Sequence, residues 1–196
     1  MTMFMYKVLC VTNRKLAGER FQEQLKKVAD AGAEGMILRE KDLSEMEYER
    51  LAVQVKQICD ERQVLLILHT YTDVAQRLGI RKIHLPVRTF LEMDDQQKSG
   101  FDIIGVSTHS VEEAVAVWKA GASYVTAGHI FATDCKKGLP PRGLVFLKAV
   151  CDAVDIPVYA IGGIHQENIQ SCLEAGAAGI CLMSSLMKAE NPGLYF

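Results

Sequence analysis

Imidazole is the side chain whose ordinary pKa brings proton transfer within reach at neutral pH. Four of the five histidines in this sequence, His69, His84, His109 and His129, stand at or beside the ends of short apolar runs. His129 is set apart because it opens GHIFATDCKKGLPPRG, a long polar and Gly/Pro-rich stretch of the kind that covers an active site. It is the leading candidate for an acid/base. His69 and His109 divide evenly between lining a pocket and reacting. His84, inside KIHLP, reads more plainly as a hydrogen-bonded interior residue, and His165 as a helix-start residue.

Arg39 and Lys41 alternate along an extended segment, so both can point to one side, and Lys136 lies in the stretch that His129 opens. Three such cations suit a substrate with a second negative group; a solvated charge cluster is the plainer account. Ser107 and Thr108 close another apolar run and add hydroxyls to the same set. Gly162 and Gly163 follow PVYAI, where bare backbone amides can approach an anion, and Ser184 and Ser185 follow GICLM with further amide or hydroxyl donors. Together they suggest a phosphate site, although IGG alone would serve as a tight turn.

Residues so far apart in the chain can act together only if the fold gathers them. Eight strand candidates recur: YKVLCVT from Tyr6, GMILRE from Gly35, VLLILH from Val64, KIHLP from Lys82, DIIGVST from Asp102, YVTAGHI from Tyr124, PVYAIGG from Pro157 and GICLMSS from Gly179. Several are continuous apolar runs, which is how strands covered on both faces look. Between them lie helical patterns at Arg20 to Ala31, Ser44 to Glu61, Val111 to Ala120, Leu144 to Ala153 and Glu167 to Ala175. Ser44 and Glu47 have capping-box spacing. AGAEG, AGASY and AGAAG each precede a strand as a repeated helix-to-strand turn. This alternation predicts an α/β fold, a single (β/α)8 TIM barrel over residues 1–196, with every candidate above at the carboxyl-terminal ends of its strands. An open doubly wound sheet would have a glycine-rich first turn, and no G-x-G-x-x-G occurs.

Bulk composition narrows the function classes. With 22 Lys+Arg against 24 Asp+Glu, the net charge of −2 leaves no broad basic field for nucleic acid or an anionic membrane, so any anion site must be local. No apolar stretch approaches the ~20 residues of a membrane helix, and the start, MTMFMYKVLCVT, carries no visible export signal. Cys10, Cys59, Cys135, Cys151, Cys172 and Cys181 show no Cys-x-x-Cys pair and read as reduced, mostly buried thiols of a cytoplasmic protein. Neither a structural metal nor a cofactor is expected, and self-association is left open.

VTNR at Val11, LREKD at Leu38, GVSTHS at Gly105, GHIFATDCKKG at Gly128, PPRGL at Pro140, AIGGI at Ala160 and the MSS at Met183 resemble, over nearly the whole chain, the thiamine phosphate synthase superfamily. Within it the chain is similar to the TenI group, thiazole tautomerases. The synthase branch carries Asn-Asp after strand three and a further Asp after strand four, which hold magnesium and a pyrimidine pyrophosphate. Here those places read His69-Thr70 and Thr89; Ile37 stands where Gln is expected, and His129 where the synthases have Pro. Asp94 and Asp95, close to Thr89 in sequence, read as part of a surface helix.

The resemblance to the tautomerases implies a metal-independent isomerase. It would convert a carboxythiazole phosphate, the small phosphorylated partner, into its aromatic tautomer in thiamine biosynthesis, with His129 as the catalytic residue. Gly162, Gly163, Ser184 and Ser185 would hold the phosphate, and Arg39, Lys41 or Lys136 would be available to the carboxylate. A degenerate synthase and a non-catalytic phosphate-binding regulatory barrel are the alternatives.

Overall fold

A computed structural model describes residues 7–196; Tyr6, the start of the first apolar run, lies outside the described residues, as does the side chain of Cys135. The eight expected strands form: β1 (Lys7–Val11), β2 (Gly35–Leu38), β3 (Leu65–His69), β4 (Lys82–Pro86), β5 (Ile103–Thr108), β6 (Tyr124–Gly128), β7 (Val158–Ile161) and β8 (Gly179–Leu182). Each pairs in parallel with its sequence neighbour, and β8 returns to β1 with Lys7 opposite Gly179, which closes the barrel.

Strand alternation sorts the apolar residues into two cores. Leu9, Val11, Ile37, Ile67, Tyr124, Tyr159 and Cys181 fill the barrel interior. Their neighbours one position along, such as Cys10, Met36, Leu68, Val125 and Ile180, pack outward against the helices. This explains why the strands look continuously apolar in sequence. Two inward-facing glycines make the interior fit: a Cβ on Gly105 would overlap the Tyr124 ring, and one on Gly179 would overlap the Lys7 carbonyl and crowd Tyr159. Each tyrosine takes the space its glycine leaves.

The helices follow their sequence signals closely. Ser44 caps Glu45–Arg62, its backbone N–H donating to Glu47 Oε2 at 2.9 Å while its side chain accepts from the Glu47 amide. Phe21–Asp30, Val111–Lys119, Gly143–Ala153 and Gln166–Glu174 match the other patterns, and His165 does stand at the N-cap of the last. In the three repeated turns Gly32, Gly121 and Gly176 have φ of 109°, 92° and 102°, values that stop a helix and favour glycine. LEMDDQQKS differs from the single surface helix expected. Met93 is extended, and Asp94 starts a second helix, Asp95–Ser99, by accepting from the Gln97 amide at 2.7 Å. Aspartate competes well for an N-cap, so the break falls there.

After β8 come a four-residue helix, Ser184–Met187, and a 3-10 turn at Pro192–Tyr195. Gln24 holds this segment to the first long helix by donating to the Leu186 and Ala189 carbonyls at 2.6 and 3.0 Å. Cys10, Cys59, Cys151, Cys172 and Cys181 are free thiols, of which only Cys151 is less than fully buried. Among the described residues no helix is long and apolar enough to cross a membrane.

Candidate functional site

A cavity of about 410 Å³ opens at the carboxyl-terminal ends of the strands. Arg39 and Lys41 from the end of β2, His69 from β3, Ser107 and Thr108 from β5, His129 and Lys136 from β6 and its loop, Gly162 and Gly163 after β7, and Ser184 and Ser185 after β8 all line it. His109 and His84 line it too, so the sequence reading of His84 as a hydrogen-bonded interior residue captures only part of its placement. The apolar floor, Val11, Ile37, Ile161 and Cys181, and the wall residues Pro86, Val87 and Met183 carry no reactive group of their own.

Arg39 and Lys41 are aimed by the residue between them. Glu40 is buried and accepts from the Thr12 hydroxyl at 2.8 Å and the Arg14 amide at 3.0 Å, while the Arg39 amide donates to Thr12 Oγ1 at 3.0 Å. With Glu40 turned into the β1–β2 junction, strand alternation turns its two neighbours into the cavity. Burial raises the Glu40 carboxyl, opposed by those two hydrogen bonds and by Arg14. Tyr48 acts similarly one strand along: its hydroxyl donates to the Leu38 carbonyl at 2.6 Å and accepts from the His69 amide at 2.9 Å. Neither Glu40 nor Tyr48 was singled out in the sequence, although the alternation in LREKD carries the signal for the first.

The four strand-end histidines have different surroundings. Burial, then His84, Arg39 and Lys41, push His69 down to about 2. Burial and Arg39 push His84 down to about 3. Both are therefore neutral at pH 7 and too weakly basic to compete for a carbon-bound proton. His69 Nδ1 meets the Thr70 hydroxyl at 2.7 Å, and its ring stacks on His84 with centroids 5.8 Å apart. His109 is lowered by burial against the opposing pull of Glu113, whose carboxylate accepts from the His109 amide at 2.6 Å. His129 is buried, and its Nε2 lies 3.3 Å from the Leu139 carbonyl. A carbonyl only accepts, so that contact requires Nε2–H and leaves Nδ1 as the basic nitrogen.

The glycine pair after β7 has two jobs. Gly162 and Gly163 have φ of 99° and 66°, and a Cβ on Gly162 would overlap that of His129, while one on Gly163 would overlap the Ala132 carbonyl. They therefore let the β6 loop pack against the β7 loop, with the Phe131 amide donating to the Gly162 carbonyl at 3.0 Å. The Ser185 hydroxyl donates to the Ile164 carbonyl at 2.9 Å, tying the β8 loop to the same place. Its proton is committed there, so of the Ser185 donors only the backbone amide suits a ligand.

Positive charge dominates the lining: Arg39, Lys41 and Lys136 face one carboxylate, Glu113. Lys41 is lowered by burial and by the two other cations. This donor set does not fit magnesium, which takes carboxylate oxygens beside substrate phosphates. Asp94 is occupied as a helix cap, Thr89 is not among the lining residues, and no group of three or more acidic, histidine or cysteine side chains among the described residues could hold a metal.

A family model described as thiamine monophosphate synthase matches residues 8–186. A putative thiamine-phosphate synthase 2 from Aquifex aeolicus is 36% identical over 182 residues, covering 93% of this chain and 98% of the relative. A thiamine-phosphate synthase from Clostridium acetobutylicum is 32% identical over 188 residues, covering 95% and 89%. Among solved structures, a thiamine phosphate pyrophosphorylase from Pyrococcus furiosus superposes with a TM-score of 0.83 at 29% identity, covering 97% of this chain and 91% of that one.

Proposed function

We infer the function from one premise: the chain belongs to the thiamine monophosphate synthase family. Within it we propose a metal-independent isomerase of thiamine biosynthesis, a thiazole tautomerase acting on a carboxythiazole phosphate. The observation that carries this reading is the composition of the cavity. It has a buried histidine, His129, at the end of β6 and three cations, whereas the lining at the ends of β3 and β4, His69, His84, Pro86 and Val87, includes no carboxylate.

His129 Nδ1 removes the proton from the ring carbon next to the substrate carboxylate, and the electron pair of that C–H bond becomes a ring double bond. The exocyclic double bond opens and its outer carbon takes up a proton, so atoms and charge balance without a co-reactant. Aromaticity drives the change, and the protein need only position the substrate and move a proton. The phosphate rests on the Gly162, Gly163, Ser184 and Ser185 backbone amides, and Arg39, Lys41 and Lys136 meet the carboxylate.

The names of the relatives favour a second reading, coupling of a thiazole phosphate to a pyrimidine pyrophosphate. That reaction brings a second highly charged phosphate ester into a site without the carboxylates that would hold its usual magnesium. The test assays both reactions on one preparation, with magnesium and then with excess chelator. Isomerisation that persists in chelator is the expected result; chelator-sensitive formation of thiamine phosphate would replace this reading by the second.

A further inference from the structure

We propose that Tyr124 and His84 are positioning residues that make Ser107 an obligatory hydrogen-bond donor to the substrate carboxylate. The inference rests on the proposed reading of the cavity as the substrate site, and its core is proton bookkeeping along one buried chain of side chains.

The chain starts in the barrel interior. The Tyr124 ring crosses the space left by Gly105 and packs edge-on against Tyr159, with centroids 5.4 Å apart. Its hydroxyl lies 3.0 Å from His84 Nδ1, and His84 is its only hydrogen-bond partner among the described residues. Of the rest of its interior cluster, Leu9, Val11, Ile37, Ile67 and Cys181 offer no oxygen or nitrogen acceptor from their side chains, and Tyr159 meets the Tyr124 ring edge-on without a hydrogen bond between the two hydroxyls. A phenol proton left unpaired there would be desolvated without compensation, which disfavours the arrangement in which Tyr124 only accepts. Tyr124 therefore donates to Nδ1, and His84, kept neutral by burial, must carry its proton on Nε2.

That proton has one destination, the Ser107 oxygen, 2.7 Å away. The Thr126 hydroxyl also donates to it, at a longer 3.4 Å. With both lone pairs of Ser107 engaged, its own O–H is left for an acceptor in the cavity it lines. Arg39 lines the same cavity, so the donor and the guanidinium can meet one anionic group there. Either lone-pair contact alone would leave Ser107 free to accept; together they fix its polarity, and an acceptor on the substrate is what the site selects.

The test has two arms on the full chain. In the first, long-range ¹H–¹⁵N spectra of the ligand-free protein should show His84 as the Nε2–H tautomer, and Tyr124→Phe should shift it towards Nδ1–H. An Nδ1–H tautomer in the unsubstituted protein would overturn the proposal without reference to any activity. In the second, Tyr124→Phe and Ser107→Ala should weaken binding of the carboxythiazole phosphate about tenfold, as expected for one hydrogen bond to a charged group, while the same thiazole phosphate without its carboxylate changes by less than about twofold. Equal weakening of both ligands would reduce Tyr124 to a packing role and overturn the proposal. If neither ligand binds the unsubstituted protein, the substrate reading fails, and the tautomer measurement still decides whether Ser107 is fixed as a donor.

Discussion

The two sides of the cavity rim are built on different principles. On the β2–β5 side, charged and imidazole groups are held by buried side chains: Glu40 for Arg39 and Lys41, Tyr48 for the His69 amide, Tyr124 for His84. On the β6–β8 side the groups sit on loops that are held to each other, through Gly162 to Phe131 and Ser185 to Ile164. Under the proposed function, the difference corresponds to a separation of tasks. A group that must discriminate a substrate benefits from a locked rotamer and fixed protonation, whereas a group that must gain and lose a proton benefits from a site that loops can close over. On the locked side burial holds His69 and His84 neutral, and on the loop side the His129 Nε2 contact with the Leu139 carbonyl leaves Nδ1 as the acceptor nitrogen.

If that division holds, the largest effect of any single change belongs to the loop side. Replacing His129 with Asn removes the acid/base and should cut kcat by about 10²–10⁴-fold, while product binding stays within a few-fold because phosphate and carboxylate are held elsewhere. Turnover and calorimetric affinity measured on one preparation check this. Undiminished turnover would move the proton transfer to the other side of the rim, with His109 next in reach, since His69 is too weak a base.

The loop side was also the more legible in sequence. His129 opens a Gly/Pro-rich stretch and IGG precedes a helix, and such local punctuation survives without a fold. The strands and most helices were legible for the same reason, because period and capping are local; the break at Met93 was not, because the Asp94 cap competed within one apparently continuous pattern. The locked side resists reading because its determinants are pairings between distant strands. Nothing near Glu40 announces Thr12 as a partner 28 residues away, and nothing near His84 announces Tyr124 40 residues away. The dual use of the glycine pair was hidden likewise, since the Gly162 approach to His129 exists only once β6 and β7 are adjacent.

The locked side makes its own prediction about pH. His69 and His84 titrate at about 2 and about 3 in the folded chain, against an ordinary 6.5 when unfolded. Protons therefore bind the unfolded state preferentially below 6.5, so these residues leave stability untouched above that pH and lower it as pH falls towards their folded values. The slope is about 1.4 kcal/mol per pH unit for each histidine, or roughly 2 kcal/mol each by pH 5. Urea unfolding at pH 7 and pH 5 should show a loss of stability that is smaller by about that amount in His69→Gln. Equal losses in both proteins would mean that His69 is not held neutral and that the two sides of the rim differ less than their geometry suggests.

The smallest expected effect sharpens the comparison most, because it separates aim from chemistry. Thr12→Val keeps a β-branched side chain of nearly the same shape at a fully buried position, yet removes the donor to Glu40 and the acceptor for the Arg39 amide. The loss of these hydrogen bonds should cost about 1–3 kcal/mol of stability, which by itself says only that the clamp is buried. The functional signature is the split between KM and kcat. Arg39 and Lys41 lose their fixed aim, so KM for the carboxythiazole phosphate should rise several-fold, by up to about tenfold for ~1.4 kcal/mol of lost substrate contact. His129 is anchored across the cavity to the Leu139 carbonyl and shares no partner with Thr12, so kcat should stay within about twofold. A fall in kcat at constant KM would show that the β2 cations act in the proton-transfer step itself. Thermal destabilisation with both constants unchanged would show that Glu40 holds the β1–β2 junction without directing its neighbours, and the locked side would then owe its selectivity to the histidines alone.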